Sequence, residues 1–413
     1  MSVLNIRSLL LGVAAAATAT TAQAADLPVA PEPVDYVRIC DAYGARFYYI
    51  PGTETCLRVG GRVRTQFRVN NVLDDGAWGA RNSDGYTWRT QGYLYLDART
   101  ATEFGTLRAY TEISQAAENG AESLDFGSTY IQWGGLTAGY LTSNFDIFTG
   151  QVFMGVVSRN WSDTTLNQIA YTAAFGNGFS ATVALEDRSS REINPSFTTD
   201  TVTSNQGRTV SVATSETYGG TRMPDVVAAI AVSQGWGSAQ LSGALHQVYH
   251  SSFINSTLSN TEDDLGWAIG AGVLFNLPMI NSGSNVFFQG FYADGAMSYL
   301  GGSFTQNGST FSILDAGLDN NGNIDTTTGY SLSAGAYIQA TPTIGLALDG
   351  SYLSTDGGGN TLDVDRWAID GSIQWEPVSG FEMGADIGYS NLDVQGRSDV
   401  DELLFGVRVQ RTF

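Results

Sequence analysis

The chain contains no lysine and little charge of either sign. All 20 of its basic residues are arginine, and charged residues make up 15% of the 413 positions. Acidic residues number 41, and the resulting net charge of −21 argues against a nucleic-acid partner, which requires a basic surface. This acidity does not indicate a disordered chain, because aromatic residues reach 11%.

Long apolar runs are also missing after the first 24 residues. The longest candidate, VVAAIAV at Val226 to Val232, has the length of a strand. A membrane helix needs about 18 consecutive apolar residues. If the protein lies in a membrane, it must therefore cross as a closed β-barrel, because only helices and barrels satisfy every backbone group in lipid.

The first residues, MSVLNIRSLLLGVAAAATATTAQAAD, are typical of a secretory signal. Arg7 supplies the positive start, Leu9 to Ala17 form the apolar core, and Ala22-Gln23-Ala24 is a small-x-small cleavage site. The apolar core is too short for the alternative, a membrane anchor. We expect residues 1–24 to be removed, so that the mature chain begins at Ala25 and is exported.

Cysteine and histidine are scarce, with two of each. An exported chain meets an oxidising compartment, so Cys40 and Cys56 are expected to form a disulfide. A metal or reactive-thiol pair is a weaker alternative, because the histidines, His246 and His250, lie far away in sequence. No metal or cofactor is therefore predicted.

Residues 56–70, CLRVGGRVRTQFRVN, alternate strictly between two kinds of side chain. Arg58, Arg62, Arg64 and Arg68 share one parity, and Leu57, Val59, Val63, Phe67 and Val69 share the other. Side chains of a strand point alternately to opposite faces, so this strand is cationic on one face and apolar on the other. The same alternation recurs along the chain to its last residue.

Short and long connections alternate between these predicted strands. The short ones are rich in glycine and proline and lie at 102–105, 134–135, 176–178, 233–237, 277–283, 341–343 and 376–380. The long ones are polar and lie near 71–85, 115–123, 143–166, 188–222, 250–263, 295–329, 354–364 and 391–400. Seven short turns and eight long loops join sixteen strands.

This pattern predicts an all-β fold, a 16-stranded antiparallel transmembrane β-barrel over residues 57–413. Residues 25–56 then form an N-terminal segment on the periplasmic side, where both chain ends lie. The alternative is a secreted β-sandwich or propeller, in which long loops rarely alternate so regularly with tight turns. The chain ends on an apolar stripe closed by Phe413, as outer-membrane barrels do, although Arg411 interrupts that stripe.

The stretch VRICDAYGARFYYIPGTETCLRVGG, with EFGTLRAY, FDIFTG, GNGFSATVALED and the ending RVQRTF, resembles the alphaproteobacterial general porin family of the rhizobial and brucella type. The resemblance implies a homotrimeric channel in the bacterial outer membrane, for passive diffusion of ions and small hydrophilic solutes. It also implies that the third loop folds into the barrel and that lipid and lipopolysaccharide surround the barrel. The barrel-assembly machinery is expected to recognise the C-terminal strand.

Arginines are concentrated in the first three predicted strands. A charge facing lipid costs about 2–4 kcal/mol at mid-bilayer, so we expect these arginines to face the lumen and form a basic wall. The expected acidic partners on the inward loop are Asp146 and Asp163, which would set a transverse field across the constriction. The basic wall comprises Arg58, Arg62, Arg64, Arg68, Arg89, Arg99 and Arg108.

Other interpretations remain open. The arginines could simply pair with Asp97, Glu103 and Glu112, and a substrate-selective channel or a barrel scaffold for adhesion or phage attachment is compatible with the pattern. An enzyme is not expected, because no nucleophile motif accompanies His246 and His250. The alternate oxygens from Asp319 to Asp325 suit calcium but lack the glycine and glutamate of an EF-hand.

Overall fold

The computed structural model describes residues 38–73, 76–81, 83–193, 198–203, 209–218, 220–254, 257–319, 321 and 323–413. The expected signal sequence, 1–24, and residues 25–37 of the N-terminal segment lie outside the described residues. The helices within these ranges are three short 3₁₀ turns, Asp41–Tyr43, Arg188–Ser190 and Met297–Leu300. No helix of the described ranges is long and apolar enough to cross a membrane.

Sixteen antiparallel strands form one closed sheet, which confirms the predicted fold class. The ring closes because the first strand pairs with the last, from Arg62 opposite Thr412 to Val69 opposite Phe405. In chain order the strands are β1 Cys56–Val69, β2 Tyr86–Thr102, β3 Gly105–Glu118, β4 Ala121–Trp133, β5 Leu136–Thr142, β6 Thr165–Gly176, β7 Phe179–Glu186, β8 Asp225–Gln234, β9 Gly237–Ile254, β10 Thr257–Asn276, β11 Asn285–Asp294, β12 Thr328–Thr341, β13 Ile344–Asp356, β14 Val364–Val378, β15 Phe381–Val394 and β16 Val400–Thr412.

The seven predicted short turns all join consecutive strands, but two of the predicted long loops are wrong. Residues 115–123 continue β3 and β4 and leave a two-residue turn, in which Asn119 and Gly120 both have positive φ. Asn-Gly is the preferred pair for such a turn. Residues 250–263 likewise belong mainly to β9 and β10. A polar strand that rises above a barrel has the composition of a loop, so composition alone misplaced both.

The remaining long connections contain short strands of their own. Thr198–Thr203 and Thr209–Tyr218 form a hairpin whose second strand also pairs with β9. In the connection between β11 and β12, Ser303–Gln306 pairs with Ser309–Ser312, and Ala316–Leu318 pairs with Ile324–Thr326. Before β1, Tyr48–Tyr49 pairs with its first residues.

The two faces of the sheet differ as the alternation predicts. We call the face with exposed apolar side chains, such as Val63, Leu94 and Val407, the outer face, and the opposite one the inner face. The predicted basic-wall arginines on β1, β2 and β3 have inner-face parity. The main buried cluster, which includes Phe145, Phe287 and Met297, lies between inner-face residues and the long connections.

Candidate functional site

The third loop, residues 143–164 between β5 and β6, is held by carboxylates on the inner face of β13 and β15. Asp349 Oδ2 accepts hydrogen bonds from the backbone N–H groups of Gln151 and Val152, at 2.7 and 3.0 Å. Asp386 Oδ2 accepts from Met154 and Gly155 at the same distances. Each carboxylate satisfies two consecutive backbone donors, so the middle of the loop is fixed to these strands rather than free in solution.

Arg159 of the third loop lies between two carboxylates that face each other across β13 and β14. Asp349 and Asp370 are partners in the strand register, and both are fully buried. Like charges directly opposite each other destabilise a sheet. Arg159 Nη1 lies 3.8 Å from Asp349 Oδ2 and 3.5 Å from Asp370 Oδ2, and it offsets this repulsion.

Two glycines of β15 provide the space through which the third loop passes. A Cβ at Gly384 would lie 2.4 Å from the ring of Phe153, and one at Gly388 would lie 2.8 Å from Val157. Neither distance is sterically possible. The loop therefore packs against bare backbone at these two positions, which explains glycines on an otherwise regular strand.

Asp146, the first of the two predicted acidic residues, joins the beginning of the third loop to its end. Its carboxylate accepts hydrogen bonds from the Ser162 hydroxyl and from the Thr164 backbone N–H, the latter at 2.7 Å. Arg191 Nη2 lies 3.1 Å from Asp146 Oδ1, and both side chains are almost completely buried. These contacts brace the base of the loop.

Asp97 on β2 forms ion pairs with three of the predicted basic-wall arginines. Arg99 and Arg108 each donate two hydrogen bonds to its carboxylate, at 2.7 to 3.0 Å. Arg58 Nη2 lies 3.6 Å from Asp97 Oδ2. The Asp97 side chain is only 1% exposed, while the three arginines keep 23–43% of their side-chain surface accessible. One buried carboxylate thus organises three partly accessible guanidinium groups.

The other four predicted arginines have fewer acidic contacts. Arg89 forms an ion pair of 2.9 Å with Glu118 on β3. Arg64 donates to Gln91 Oε1 at 2.9 Å, and Arg68 donates to Asn70 Oδ1 at 3.1 Å. Arg62 lies over the ring of Tyr93, with its Cζ 4.2 Å from the ring centroid.

Arg408 on β16 joins this group, although the sequence prediction omitted it. It donates to Gln66 Oε1 on β1 at 2.8 and 3.1 Å, and its Nη1 donates to the Phe153 carbonyl of the third loop at 2.5 Å. Its position could have been anticipated, because the closure of the ring puts β16 beside β1. The inner-face positions of Asp349, Asp370 and Asp386 could also have been predicted, from the alternation along their strands. The sequence analysis gave these residues no role.

A cavity of about 820 Å³ lies between the arginine-bearing strands and the third loop. Arg68, Asn70 and Glu118 line one side, and Arg159 and Asp163 of the third loop line another. Asp163, the second predicted acidic residue, keeps an exposed side chain. The pKa of the Asp163 carboxyl is nevertheless raised, mainly because neighbouring atoms desolvate it and to a smaller extent because Asp146 repels its negative charge.

The predicted disulfide is confirmed, since Cys40 and Cys56 are bonded. Phe47, inside the closed loop, packs with both cysteines and lies beneath the guanidinium groups of Arg58 and Arg99. At the other chain end, Phe413 exchanges backbone hydrogen bonds with Gly61, at 2.9 and 3.1 Å. Arg411, which interrupts the terminal apolar stripe, donates to the Ser379 carbonyl at the adjacent turn.

The remaining polar motifs make local contacts in the described part of the chain. Asp319 accepts hydrogen bonds from Asn321 and Asn323, and these bonds lower its pKa. His246 Nδ1 contacts the buried Asp225 carboxylate at 2.9 Å, which ties β8 to β9. Within the described ranges, no group of three or more histidine, cysteine and carboxylate residues is arranged to hold a metal ion.

Comparison with protein families assigns the chain to a family of porins. A family model described as "Porin subfamily" matches residues 26–405. The porin Omp2b of Brucella suis is 40% identical over 255 residues, which cover 57% of this chain and 64% of the Brucella protein. Omp2b of Brucella abortus (strain 2308) is 38% identical over 256 residues, with the same shares. The aligned part is thus under two thirds of the length of these curated relatives.

Solved structures show the same barrel fold at lower sequence identity. The outer membrane channel DcaP of Acinetobacter baumannii superposes with a TM-score of 0.67 at 17% identity, covering 88% of this chain and 99% of that protein. OmpT of Vibrio cholerae, in its trimer form, gives a TM-score of 0.51 at 10% identity, covering 87% and 100%.

Proposed function

Because the chain belongs to the porin subfamily, we propose that it forms a water-filled channel in the bacterial outer membrane, through which ions and small hydrophilic solutes diffuse passively. The observation that carries this proposal is the closed ring of sixteen strands with exposed apolar residues on one face and arginines on the other. Such a ring suits lipid outside and water inside, since it leaves no unpaired strand edge in the apolar layer.

We propose that the third loop narrows this channel. Its backbone is fixed to Asp349 on β13 and Asp386 on β15, and the cavity separates it from Arg68 on β1. The constriction is then bounded by the basic wall, with Arg408 at its margin. Asp163 provides the acidic side within the cavity, and the buried Asp146 acts as the brace of the loop. The opposed charges would set a transverse field that favours polar solutes.

Planar-bilayer recording tests the channel. We expect large steps whose conductance rises linearly with salt concentration and is not saturated by sugars. Replacing Arg62 and Arg64 together with alanine should shift the reversal potential in a salt gradient toward cations, because two positive charges leave the lumen. Arg81, in the exposed connection before β2, is the matched control. An unchanged reversal potential in the double variant would remove both arginines from the constriction.

A substrate-selective channel is the second candidate, and one observation favours it. Tyr93 stacks with Tyr95 at 6.2 Å, and Tyr110 stacks with Tyr130 at 5.2 Å, all on the inner face beside arginines. Aromatic rings next to cations can bind a solute that carries a planar or polar ring. Saturation of conductance by one solute, with competition from its analogues, would favour this function over general diffusion.

We propose that three copies assemble in the membrane, surrounded by lipid and lipopolysaccharide. The trimer form of the OmpT structure supports this assembly at the level of the shared fold. The C-terminal strand, with Phe413 at its end, is proposed as the part that the barrel-assembly machinery recognises. Because the chain has no lysine for amine-reactive cross-linkers, light scattering during size-exclusion chromatography of the detergent-extracted protein is the test. The protein mass should be three times that of one chain, and the mass of a single chain would refute the assembly.

A further inference from the structure

We propose that Arg62, Arg64 and Arg408 form a binding site for a divalent tetrahedral oxyanion, such as hydrogen phosphate or a phosphate monoester. The inference rests on the proposed channel and assigns a ligand to one part of its wall. The arginines of the wall fall into two groups, those with a carboxylate partner and those without one. Arg58, Arg99 and Arg108 share Asp97, and Arg89 pairs with Glu118, so these four already have acidic partners.

Two of the three arginines of the proposed site contact neutral acceptors instead, and Arg62 lies over the ring of Tyr93. Arg64 donates to Gln91, and Arg408 donates to Gln66 and to the carbonyl of Phe153. Within the described part of the chain, no carboxylate oxygen lies within 4.0 Å of any of the three guanidinium groups. Asp386 is the carboxylate whose field reaches Arg408, and it already accepts two backbone N–H groups of the third loop.

The three guanidinium groups are also close together. Those of Arg62 and Arg64 lie 4.2 and 5.2 Å from the centroid of the same Tyr93 ring. Arg408 lies on the neighbouring strand, directly opposite Gln66 and hydrogen-bonded to it, and Gln66 is two residues from Arg64 on the same face of β1. Three mutually repelling cations without a carboxylate are stabilised by an anion between them, as a single Asp97 stabilises its own three arginines.

The donors that remain suit an oxyanion better than a chloride ion. The Nε atoms of Arg62 and Arg64 are buried and have no hydrogen-bond acceptor in the described structure. A guanidinium group presents its N–H donors in a planar fork that matches two oxygens of a phosphate. Gln91 Oε1 already accepts hydrogen bonds from Arg64 and from the hydroxyl of Tyr93, at 2.9 and 2.6 Å, so this amide oxygen has no lone pair left for Arg62.

Inorganic phosphate is the probe for the test. Chloride current through the purified, reconstituted full-length channel is recorded at constant ionic strength while potassium phosphate replaces part of the salt. We expect phosphate to reduce the chloride current with a saturating dose dependence, and acetate, a monovalent oxyanion, to reduce it far less. Arg64→Gln should raise the half-blocking phosphate concentration about tenfold, the effect of losing one charge-assisted hydrogen-bonding partner.

Three further variants distinguish a phosphate-binding site from a general positive field in the lumen. Arg64→Lys keeps the positive charge but loses the planar fork, and it should still weaken the phosphate block severalfold. Arg397→Gln removes one positive charge from an exposed connection outside the lumen wall, and phosphate should block this variant as strongly as it blocks the native channel. The heat-dependent gel shift of each barrel verifies folding, and Arg408→Lys provides a second charge-conserving variant.

The outcomes for the channel and for the site are distinct. Absence of conductance in every salt would refute the channel and the site together. An open channel whose chloride current is indifferent to phosphate, or is reduced equally by acetate, would refute the site alone. The site would also be refuted if phosphate blocked the Arg64→Lys channel as strongly as the native one. Positive charge would then explain the block without the planar guanidinium group.

Discussion

Arg408 Nη1 donates a 2.5 Å hydrogen bond to the backbone carbonyl of Phe153. This bond joins the last strand of the ring to the third loop, and the Phe153 ring also lies 5.3 Å from the Arg408 guanidinium carbon. Since Arg408 is bound to Gln66 on β1 as well, a single side chain connects the seam of the barrel, the basic wall and the loop.

Replacing Arg408 with methionine should loosen the middle of the third loop. The Phe153 carbonyl would lose its charged donor, at a cost of about 1–3 kcal/mol if no water replaces it. We expect larger and noisier single-channel steps in planar bilayers. Arg411→Met, which removes a donor to the Ser379 carbonyl at the turn beside the end of β16, serves as control and should leave the steps unchanged.

Asp386→Ala should release the loop from the other direction. The backbone N–H groups of Met154 and Gly155 would lose their shared acceptor, and each unsatisfied buried donor costs about 1–3 kcal/mol. The expected result is a higher conductance and faster proteolysis within residues 143–164. Asp365→Ala removes the same charge from an exposed contact with Tyr352. Equal conductance in the two variants would mean that Asp386 does not hold the loop.

Asp97→Asn should increase anion preference. Arg58, Arg99 and Arg108 would keep their charges while their common carboxylate is lost, so the lumen becomes more positive. The barrel should also lose about 1–3 kcal/mol of unfolding free energy, less than a fully buried pair would, because the arginines are partly solvated. Reversal potentials and urea unfolding measure the two effects. A shift toward cations would contradict the placement of these arginines in the lumen.

Removing the disulfide by replacing Cys40 and Cys56 with serine should cost about 3 kcal/mol by the loop-entropy model. The barrel itself should still close, because β1 keeps its register with β2 and β16. Thermal unfolding of the folded variant in detergent is the measurement. A variant as stable as the native protein would show that the closed N-terminal loop contributes nothing to stability.

The two faces of β2 should respond differently to an added charge. Leu94 is an outer-face residue, 42% exposed, and Leu94→Arg should cost about 2–4 kcal/mol if it faces the middle of the bilayer. Thr87 lines the cavity directly opposite Arg68, so Thr87→Glu should be tolerated and should change ion selectivity instead. Refolding yields into lipid vesicles distinguish the two, and equal yields would contradict the assignment of faces.

Much of this structure follows from local features of the sequence. The parity of Arg58, Arg62, Arg64 and Arg68 against Val59 and Val63 anticipates the two faces of β1, because a strand has a period of two residues. Turn sequences such as Gly176-Asn177-Gly178 mark the short connections for the same local reason. The limit of local reasoning is visible at Asn119 and Gly120, where polar strand and polar loop look alike in composition.

The sequence by itself determined the strand alternation, the number of strands, the disulfide and the concentration of arginine in the first three strands. Only the tertiary structure decided which arginines share Asp97, that Asp146 braces the loop, and that Arg408 joins β1 to the third loop. Apart from Arg99, which is 2 positions from Asp97, these contacts join residues 11 to 342 positions apart. Such pairings depend on ring closure and on the path of the loop, which no local pattern specifies.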